Sequence, residues 1–165
     1  MAQKEVALVN ASPLIGLASV AGIAWLPQLF GRALITPTVR SEVLTGLGRP
    51  GEPQIASAIR RREIEVLRRD SPGPELPELD AGEASTIRAA LTRGPHALVI
   101  LDEMAARRVA RGLGLRCTGT VGVIVEARRA GLVKKVRPLF DQLAEAGFYL
   151  APELVAAVLA DLGER

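Results

Sequence analysis

The feature that most constrains this chain is a short apolar run that ends in a polar residue and leads directly into a helical pattern. Residues 6–9 (VALV) precede Asn10, and Ser12-Pro13 then begins a helical segment. The same design returns at residues 97–101 (ALVIL), which are followed by Asp102 and another helical pattern. Ligands of open parallel sheets bind at the carboxyl ends of the strands. We therefore predict that Asn10 and Asp102 share one sheet edge and face one cleft.

Short apolar runs alternate with amphipathic helical patterns along the whole chain. Further strands are predicted at residues 33–35, 63–67 and 115–117, and helices at 12–20, 24–30, 38–44, 54–61, 80–93, 104–111, 121–130, 138–146 and 152–162. This alternation predicts an α/β fold, a parallel sheet of about four to five strands flanked by helices on both faces. We expect a single domain over residues 1–165, with a core at about 6–130 and carboxyl-terminal helices at 136–163.

Local signals predict how two of these helices begin. Ser12 has the side chain of an N-cap, and Pro13 suits the first helical position, where its missing N–H is not needed. Asp80 followed three residues later by Glu83 has the pattern of a capping box. Glu83 and Asp80 therefore both have an ordinary structural explanation.

Composition excludes several classes of protein. Of the 165 residues 48% are hydrophobic and 24% charged, which is typical of a globular domain. The single Cys excludes an internal disulfide, and the single His excludes a His-rich metal site. There is no signal-peptide pattern and no apolar run of the ~20 residues that span a bilayer, so we expect a cytoplasmic protein without membrane association. An aromatic content of 3% argues against single-strand binding by aromatic stacking.

A modest positive charge leaves nucleic-acid binding open. The formal net charge is +3, from 21 basic and 18 acidic residues, and Arg suits bidentate phosphate contacts. Arg107, Arg108 and Arg111 follow Asp102 on one predicted helix and could guide phosphate to the cleft, or form a solvated face. Charge alone does not decide between these alternatives.

Polar side chains are predicted to gather at the carboxyl edge of the sheet. The strand ends contribute Asn10, Asp102, Glu103, Thr118 and Thr120, and neighbouring helices add Glu42 and Glu83. Clustered carboxylates repel one another and need a cation, and ligands that are all oxygen favour Mg²⁺ or Mn²⁺. Such an ion can activate water and stabilise charge on a phosphodiester. Asp and Glu are also common at helix starts, so each of these acids has a capping or helix-dipole alternative.

Five segments together resemble the PIN-domain superfamily, and within it a branch of bacterial and archaeal proteins related to VapC-type toxins. They are NASPLI at 10–15, RSEVL at 40–44, LDAGEASTI at 79–87, LDEMAARRVARGLGL at 101–115 and TGT at 118–120. No one of them is specific, but their order and spacing are. The resemblance covers nearly the whole chain from residue 6.

The resemblance implies a parallel-sheet α/β fold and an Mg²⁺- or Mn²⁺-dependent ribonuclease. Its metal site would use Asn10, Glu42, Glu83 and Asp102, with the last three as catalytic acids. The supporting residues would be Ser12, Glu103, Thr118 and Thr120, and the RNA-binding residues Arg107, Arg108 and Arg111. Toxin members usually form homodimers and are inhibited by a small antitoxin protein, so RNA, an antitoxin and a second copy are the expected partners.

Asn10 departs from the family pattern, which has an acid at this position in most active members. An amide oxygen can ligate a hard cation but brings no charge. The chain is therefore either an active ribonuclease or a degenerate module that binds RNA or an antitoxin without catalysis. A receiver or nucleotide-binding domain is a third alternative, although the chain has no acidic pair at the first strand and no Gly-rich phosphate loop.

Overall fold

Five parallel strands form one sheet, and helices connect them. The structure is a computed structural model that describes residues 5–165. In that range the strands are β1 (Val6–Val9), β2 (Arg32–Ile35), β3 (Glu65–Val66), β4 (Ala97–Ile100) and β5 (Arg116–Thr118). The helices are α1 (Ala11–Ser19), α2 (Trp25–Phe30), α3 (Pro37–Val43), α4 (Glu52–Arg60), α5 (Ala81–Leu91), α6 (Met104–Gly112), α7 (Thr120–Arg129), α8 (Arg137–Glu145) and α9 (Pro152–Asp161).

The strand order is β3-β2-β1-β4-β5, so β1 lies at the centre of the sheet. Leu8 is in register with Leu34 of β2 on one side, and Val9 with Ile100 of β4 on the other. The chain first runs from β1 out to β3, and then crosses back to build β4 and β5. The two directions diverge between β1 and β4, and ligands of open α/β sheets bind at such a switch point, outside the carboxyl ends of the strands.

Both faces of the sheet are covered, which confirms the predicted α/β fold. Ala7 and Val9 belong to an apolar cluster that includes buried residues of α1, α2, α3, α4, α7, α8 and α9. Leu8 belongs to a second cluster with buried residues of α5 and α6. Successive residues of a strand point to opposite faces, and β1 is fully apolar because helices cover it on both sides.

Two of the predicted helix starts have different outcomes. The capping box of α5 is confirmed, since the Glu83 amide donates to Asp80 Oδ1 at 2.8 Å and the Asp80 amide to Glu83 Oε2 at 3.2 Å. The prediction for α1 is wrong. Its N-cap is Asn10, Ser12 is already helical, and Pro13 occupies the third position. The helix begins earlier because Asn10 stands in extended backbone and its carbonyl accepts from the Leu14 amide.

Candidate active site

The polar edge of the sheet is assembled by backbone hydrogen bonds that continue past the ends of the strands. The Asn10 amide donates to the Ile100 carbonyl at 3.1 Å, and the Leu101 amide to the Thr118 carbonyl at 2.8 Å. These bonds fix Asn10, the residue pair Leu101-Asp102 and Thr118 side by side at the carboxyl ends of β1, β4 and β5. The shared edge predicted for Asn10 and Asp102 follows from this parallel pairing. Asn10 does not line the cleft that contains Asp102, so the prediction that both residues face one cleft is wrong.

Asp102 is held by donors from two helices. Its Oδ1 accepts from the Thr120 amide at 2.8 Å, and its Oδ2 from the Thr120 hydroxyl at 2.7 Å and the Ser12 hydroxyl at 3.3 Å. Thr120 is the first residue of α7, where backbone amides lack partners within the helix. The carboxylate is therefore fixed in orientation by the start of α7, and by Ser12 of α1.

Gly119 allows this close approach of the loop to Asp102. A Cβ placed on Gly119 would lie 2.9 Å from Asp102 Oδ1 and 3.2 Å from the Leu101 carbonyl oxygen. Any side chain at position 119 would therefore displace the carboxylate or the strand end.

Asn10 is almost fully buried, at 5% exposure, and its side-chain oxygen has no donor. The Oδ1 atom is inaccessible and has no hydrogen-bond partner among residues 5–165, and the side chain does not cap α1. An unpaired buried acceptor costs about 1–3 kcal/mol, so it is a structural anomaly that calls for a ligand or for a functional explanation.

A second acidic group lies where α3 and α5 meet. The backbone of Gly82 lies close to the Glu42 carboxylate, since a Cβ on Gly82 would be 2.7 Å from Glu42 Oε1, and the Gly82 amide favours the ionised carboxylate. Burial of the carboxylate, followed by the negative charge of Asp80, raises the pKa of Glu42 against the opposing effect of that amide, and the charge of Glu83 adds to the increase.

Glu83 is buried, at 7% exposure, and also resists ionisation. Burial raises its pKa most, the amide of Asp80 opposes the shift, and the negative charges of Asp80 and Glu103 raise the pKa further. A bound cation would lower the pKa values of both glutamates, because a nearby positive charge favours the ionised carboxylate.

The two groups do not merge into one tight carboxylate cluster. Across the described part of the chain, no three Asp, Glu, His or Cys side chains are placed to hold one metal ion. Asp102 has its hydroxyl donors Ser12 and Thr120, whereas Glu42 and Glu83 share the neighbourhood of Gly82. Glu103 is the N-cap residue of α6 and follows Asp102 in the chain. Its negative charge acts on Glu83, so the two groups interact electrostatically through Glu103.

The three arginines predicted to bind phosphate have different environments. Arg107 is half-buried and lines a cleft of about 830 Å³ together with Ser12, Asp102, Glu103, Thr118 and Thr120. Arg108 and Arg111 are exposed and are not part of its wall. The structure thus separates Arg107 from its two neighbours, which the helical pattern alone had grouped.

Sequence reasoning missed two glycines that shape the site. Gly82 lies within the capping box and Gly119 lies between Thr118 and Thr120, so each is flanked by residues that were already singled out. A glycine next to a candidate ligand is a usable signal, because it marks a position where only backbone fits.

A divalent hard cation suits the donors that are present. The side chains are oxygen donors without thiolate or imidazole, which Mg²⁺ and Mn²⁺ prefer. Asn10 Oδ1 is buried and unpaired, and burial together with neighbouring carboxylates raises the pKa values of Glu42 and Glu83. Mg²⁺ commonly keeps several waters and uses only one or two carboxylates, so a site without three adjacent acids still fits.

Comparison with known proteins agrees with this architecture. A family model described as DUF3368, a PIN domain, matches residues 6–164. The chain belongs to the PIN-domain family. No curated protein matches the chain in sequence.

Solved chains resemble this PIN domain in fold, and one of them shows the extent of the likeness. It is a PilT N-terminus domain protein from the hyperthermophilic archaeon Sulfolobus solfataricus P2, with a TM-score of 0.53 and 18% identity over 72% of this chain and 89% of that chain. At this identity the likeness concerns the fold. Among the described helices of this PIN domain, none is long and apolar enough to cross a membrane.

Proposed function

We propose that this PIN domain is a metal-dependent endoribonuclease that hydrolyses RNA phosphodiesters. The observation that carries the proposal is the unpaired, buried Asn10 Oδ1 at the switch point, on the sheet edge that also contains Asp102. The raised pKa values of Glu42 on α3 and Glu83 on α5 add to it. PIN domains are typically nucleases, and an all-oxygen donor set at this edge suits that chemistry.

Asn10, Glu42, Glu83 and Asp102 would hold Mg²⁺ or Mn²⁺. When bound, such an ion supplies a Lewis acid and lowers the pKa of a water molecule for attack on phosphorus. Asp102 is the residue most firmly positioned for this role, because Thr120 and Ser12 fix its two oxygens. Loss of a hydrogen-bond donor to a ligating carboxylate typically lowers metal affinity or activity ~10–100-fold.

Cleavage of mixed single-stranded RNA during a Mn²⁺ titration tests the proposal. We expect Mn²⁺-dependent products from the wild type and none from Asp102→Asn. Asp141→Asn is the matched control, since Asp141 is an exposed acid on α8 outside the cleft. Equal cleavage by wild type and Asp102→Asn would refute the proposal.

A non-catalytic module that binds RNA or an antitoxin is the second candidate function. It is favoured by Asn10, whose amide brings no charge, and by the separation of Asp102 from Glu42 and Glu83. Cleavage that appears only in Asn10→Asp, and not in the wild type, would support this alternative. An active wild type would exclude it.

We further propose that this nuclease is the toxin of a toxin–antitoxin pair and works as a homodimer in the cytoplasm. Induced expression in a bacterial host should arrest growth, and Asp102→Asn should abolish the arrest while accumulating to the same level. Sedimentation should give twice the mass of one chain. Normal growth during expression of the active protein would contradict the toxin proposal. A monomeric mass would contradict the homodimer.

A further inference from the structure

The cleft that contains Asp102 has a second wall that the proposed hydrolysis does not use. From Asp102 it extends along α7 to the segment between α8 and α9. The apolar part of its lining is formed by Val121, Val125, Leu143, Phe148, Tyr149, Leu150, Leu154 and Val158. The candidate catalytic carboxylate and an apolar surface therefore belong to one continuous cleft.

Two adjacent aromatic residues lie in this wall. Phe148 packs on Gly16 of α1, where an added Cβ would be 3.3 Å from Phe148 Cε1 and 3.4 Å from the Thr120 hydroxyl. The ring is thus fixed beside the threonine that holds Asp102. Tyr149 is 86% exposed, and its hydroxyl has no hydrogen bond within residues 5–165. A ring so exposed adds nothing to the core and is available to a ligand.

Arg107 supplies a cation without a partner in the same cleft. The other cleft cation, Arg129, is already paired with Glu126 at 3.1 Å and Asp161 at 3.0 Å. In the described chain Arg107 makes no ion pair, and its buried Nε has no acceptor. A Cβ on Gly119 would be 3.4 Å from Arg107 Nη1, so the guanidinium lies close to the loop that contacts Asp102. Guanidinium donors suit phosphate oxygens.

We infer that this cleft binds a single-stranded nucleic acid, with an unstacked base on the Phe148-Tyr149 wall and a backbone phosphate at Arg107. The inference rests on the proposed function, because it names the side chains that would hold a base and a phosphate of that site's substrate. Bases stack on aromatic side chains irrespective of sequence. A base within a duplex is already stacked and cannot reach such a wall.

A nucleic acid fits this cleft better than an apolar protein segment. A helix that covered the wall would bury Arg107 without an acceptor, and an unpaired buried donor is costly. The low aromatic content that argued against stacking is a property of the whole chain. Two of its five aromatic residues are concentrated in this one wall, so a local stacking site is compatible with that composition.

Binding of a fluorescein-labelled single-stranded RNA, measured by anisotropy in EDTA to prevent metal-dependent cleavage, tests the inference. We expect Tyr149→Ala to weaken binding about 5- to 150-fold, the range for loss of one base–aromatic stack. Tyr149→Phe should bind as the wild type does, because the ring is retained. Leu47→Ala, another exposed apolar residue outside the cleft, should have no effect.

The phosphate contact is tested by the salt dependence of binding. Arg107→Ala should lower the slope of log K against log salt concentration by about 0.7, as expected for one contact to a single strand. Arg108→Ala, the exposed neighbour on the same helix, should leave the slope close to that of the wild type. The unlabelled duplex of the same sequence should compete poorly with the single strand.

The outcomes separate this inference from the proposed nuclease. Mn²⁺-dependent cleavage with unchanged KM in Tyr149→Ala would overturn the base site and leave the nuclease standing. Binding that depends on Tyr149 without any cleavage would support the base site and refute the nuclease. Absence of saturable binding by the wild type would overturn the inference. So would a concentration-dependent dimer that Tyr149→Ala abolishes, since a second copy would then occupy the wall.

Discussion

Replacement of Thr120 by Val tests how strongly the start of α7 fixes Asp102. The substitution is close to isosteric and removes the Thr120 hydroxyl, which donates to Asp102 Oδ2 at 2.7 Å. Thr120 is buried, with 4% of its surface exposed. Hydrogen bonds to charged groups contribute about 1.5–3 kcal/mol. The backbone amide of Thr120 still donates to Oδ1, so we expect a loss of about 2 kcal/mol in the free energy of unfolding.

Ser12→Ala should cost less than half as much as Thr120→Val. Its hydroxyl lies 3.3 Å from the same carboxylate oxygen and is only part-buried, so the bond is longer and weaker. Thr86→Val is a matched control: Thr86 is also buried and donates at 2.8 Å, but to the neutral carbonyl of Gly82. The Gly82 carbonyl also accepts from Ser85, so loss of the Thr86 hydrogen bond should lower the free energy of unfolding by less than about 1 kcal/mol.

Urea unfolding at neutral pH, followed by the fluorescence of the single Trp and by circular dichroism, measures these differences. With a slope of about 2 kcal/mol per molar urea, Thr120→Val should lower the midpoint by about 1 M. Thr120→Ser should restore most of the stability because it keeps the hydroxyl. A midpoint for Thr120→Val within experimental error of Ser12→Ala or Thr86→Val would refute the argument that a charge-assisted bond fixes Asp102.

Three further substitutions probe the acidic side of the site. Glu83→Gln should stabilise the protein at pH 7, because burial raises the pKa of Glu83 and its ionised form disfavours folding. The gain in unfolding free energy, measured with urea, should vanish as the pH falls through the raised pKa to the ordinary value. A gain independent of pH would contradict this explanation. Gly82→Ala should displace the Glu42 carboxylate and lower Mn²⁺-dependent cleavage at least about tenfold, while the unfolding free energy stays within about 1 kcal/mol of the wild type. Unchanged cleavage would show that Glu42 needs no contact with Gly82. Asn10→Asp should lower the melting temperature in EDTA, since it adds a buried charge without a partner. Mn²⁺ should raise the melting temperature of this variant more than that of the wild type. Equal Mn²⁺ shifts would argue against residue 10 as a metal ligand.

The fold could be predicted from sequence because each element has a strong local signal. The run at residues 6–9 is apolar at every position, as a central strand covered on both faces must be, and the capping box of Asp80 and Glu83 fixes the start of α5. The predicted start of α1 was wrong because Ser12 has the side chain of an N-cap whichever position it occupies. Its true partner, Asp102, is 90 residues away in the chain, and local patterns contain no information on such a contact.

The sequence predicts which polar residues lie near the carboxyl edge of the sheet, but not how their side chains are arranged. The carboxyl ends of parallel strands must share an edge, which places Asn10 and Asp102 together. Whether Glu42 and Glu83 reach Asp102 depends on how α3 and α5 are oriented on the sheet, which periodicity does not specify. The unpaired Asn10 oxygen and the orientation of Arg107 depend on packing at the scale of single atoms. Their roles in catalysis remain predictions that the experiments above address.

The separation of Ser12 and Thr120 along the chain also has a consequence for biosynthesis. The hydrogen bonds that orient Asp102 join it to Ser12, 90 residues before it, and to Thr120, 18 residues after it. A ribosome that has released only the first hundred residues has therefore displayed Asn10, Glu42 and Glu83, but neither Asp102 nor the helix start that holds it. If the chain cleaves RNA, the nascent protein has no complete site while it is still close to the ribosome and the message that encodes it. The order of segments in the sequence thus leaves the Asp102 site incomplete until the start of α7 at Thr120 has been released.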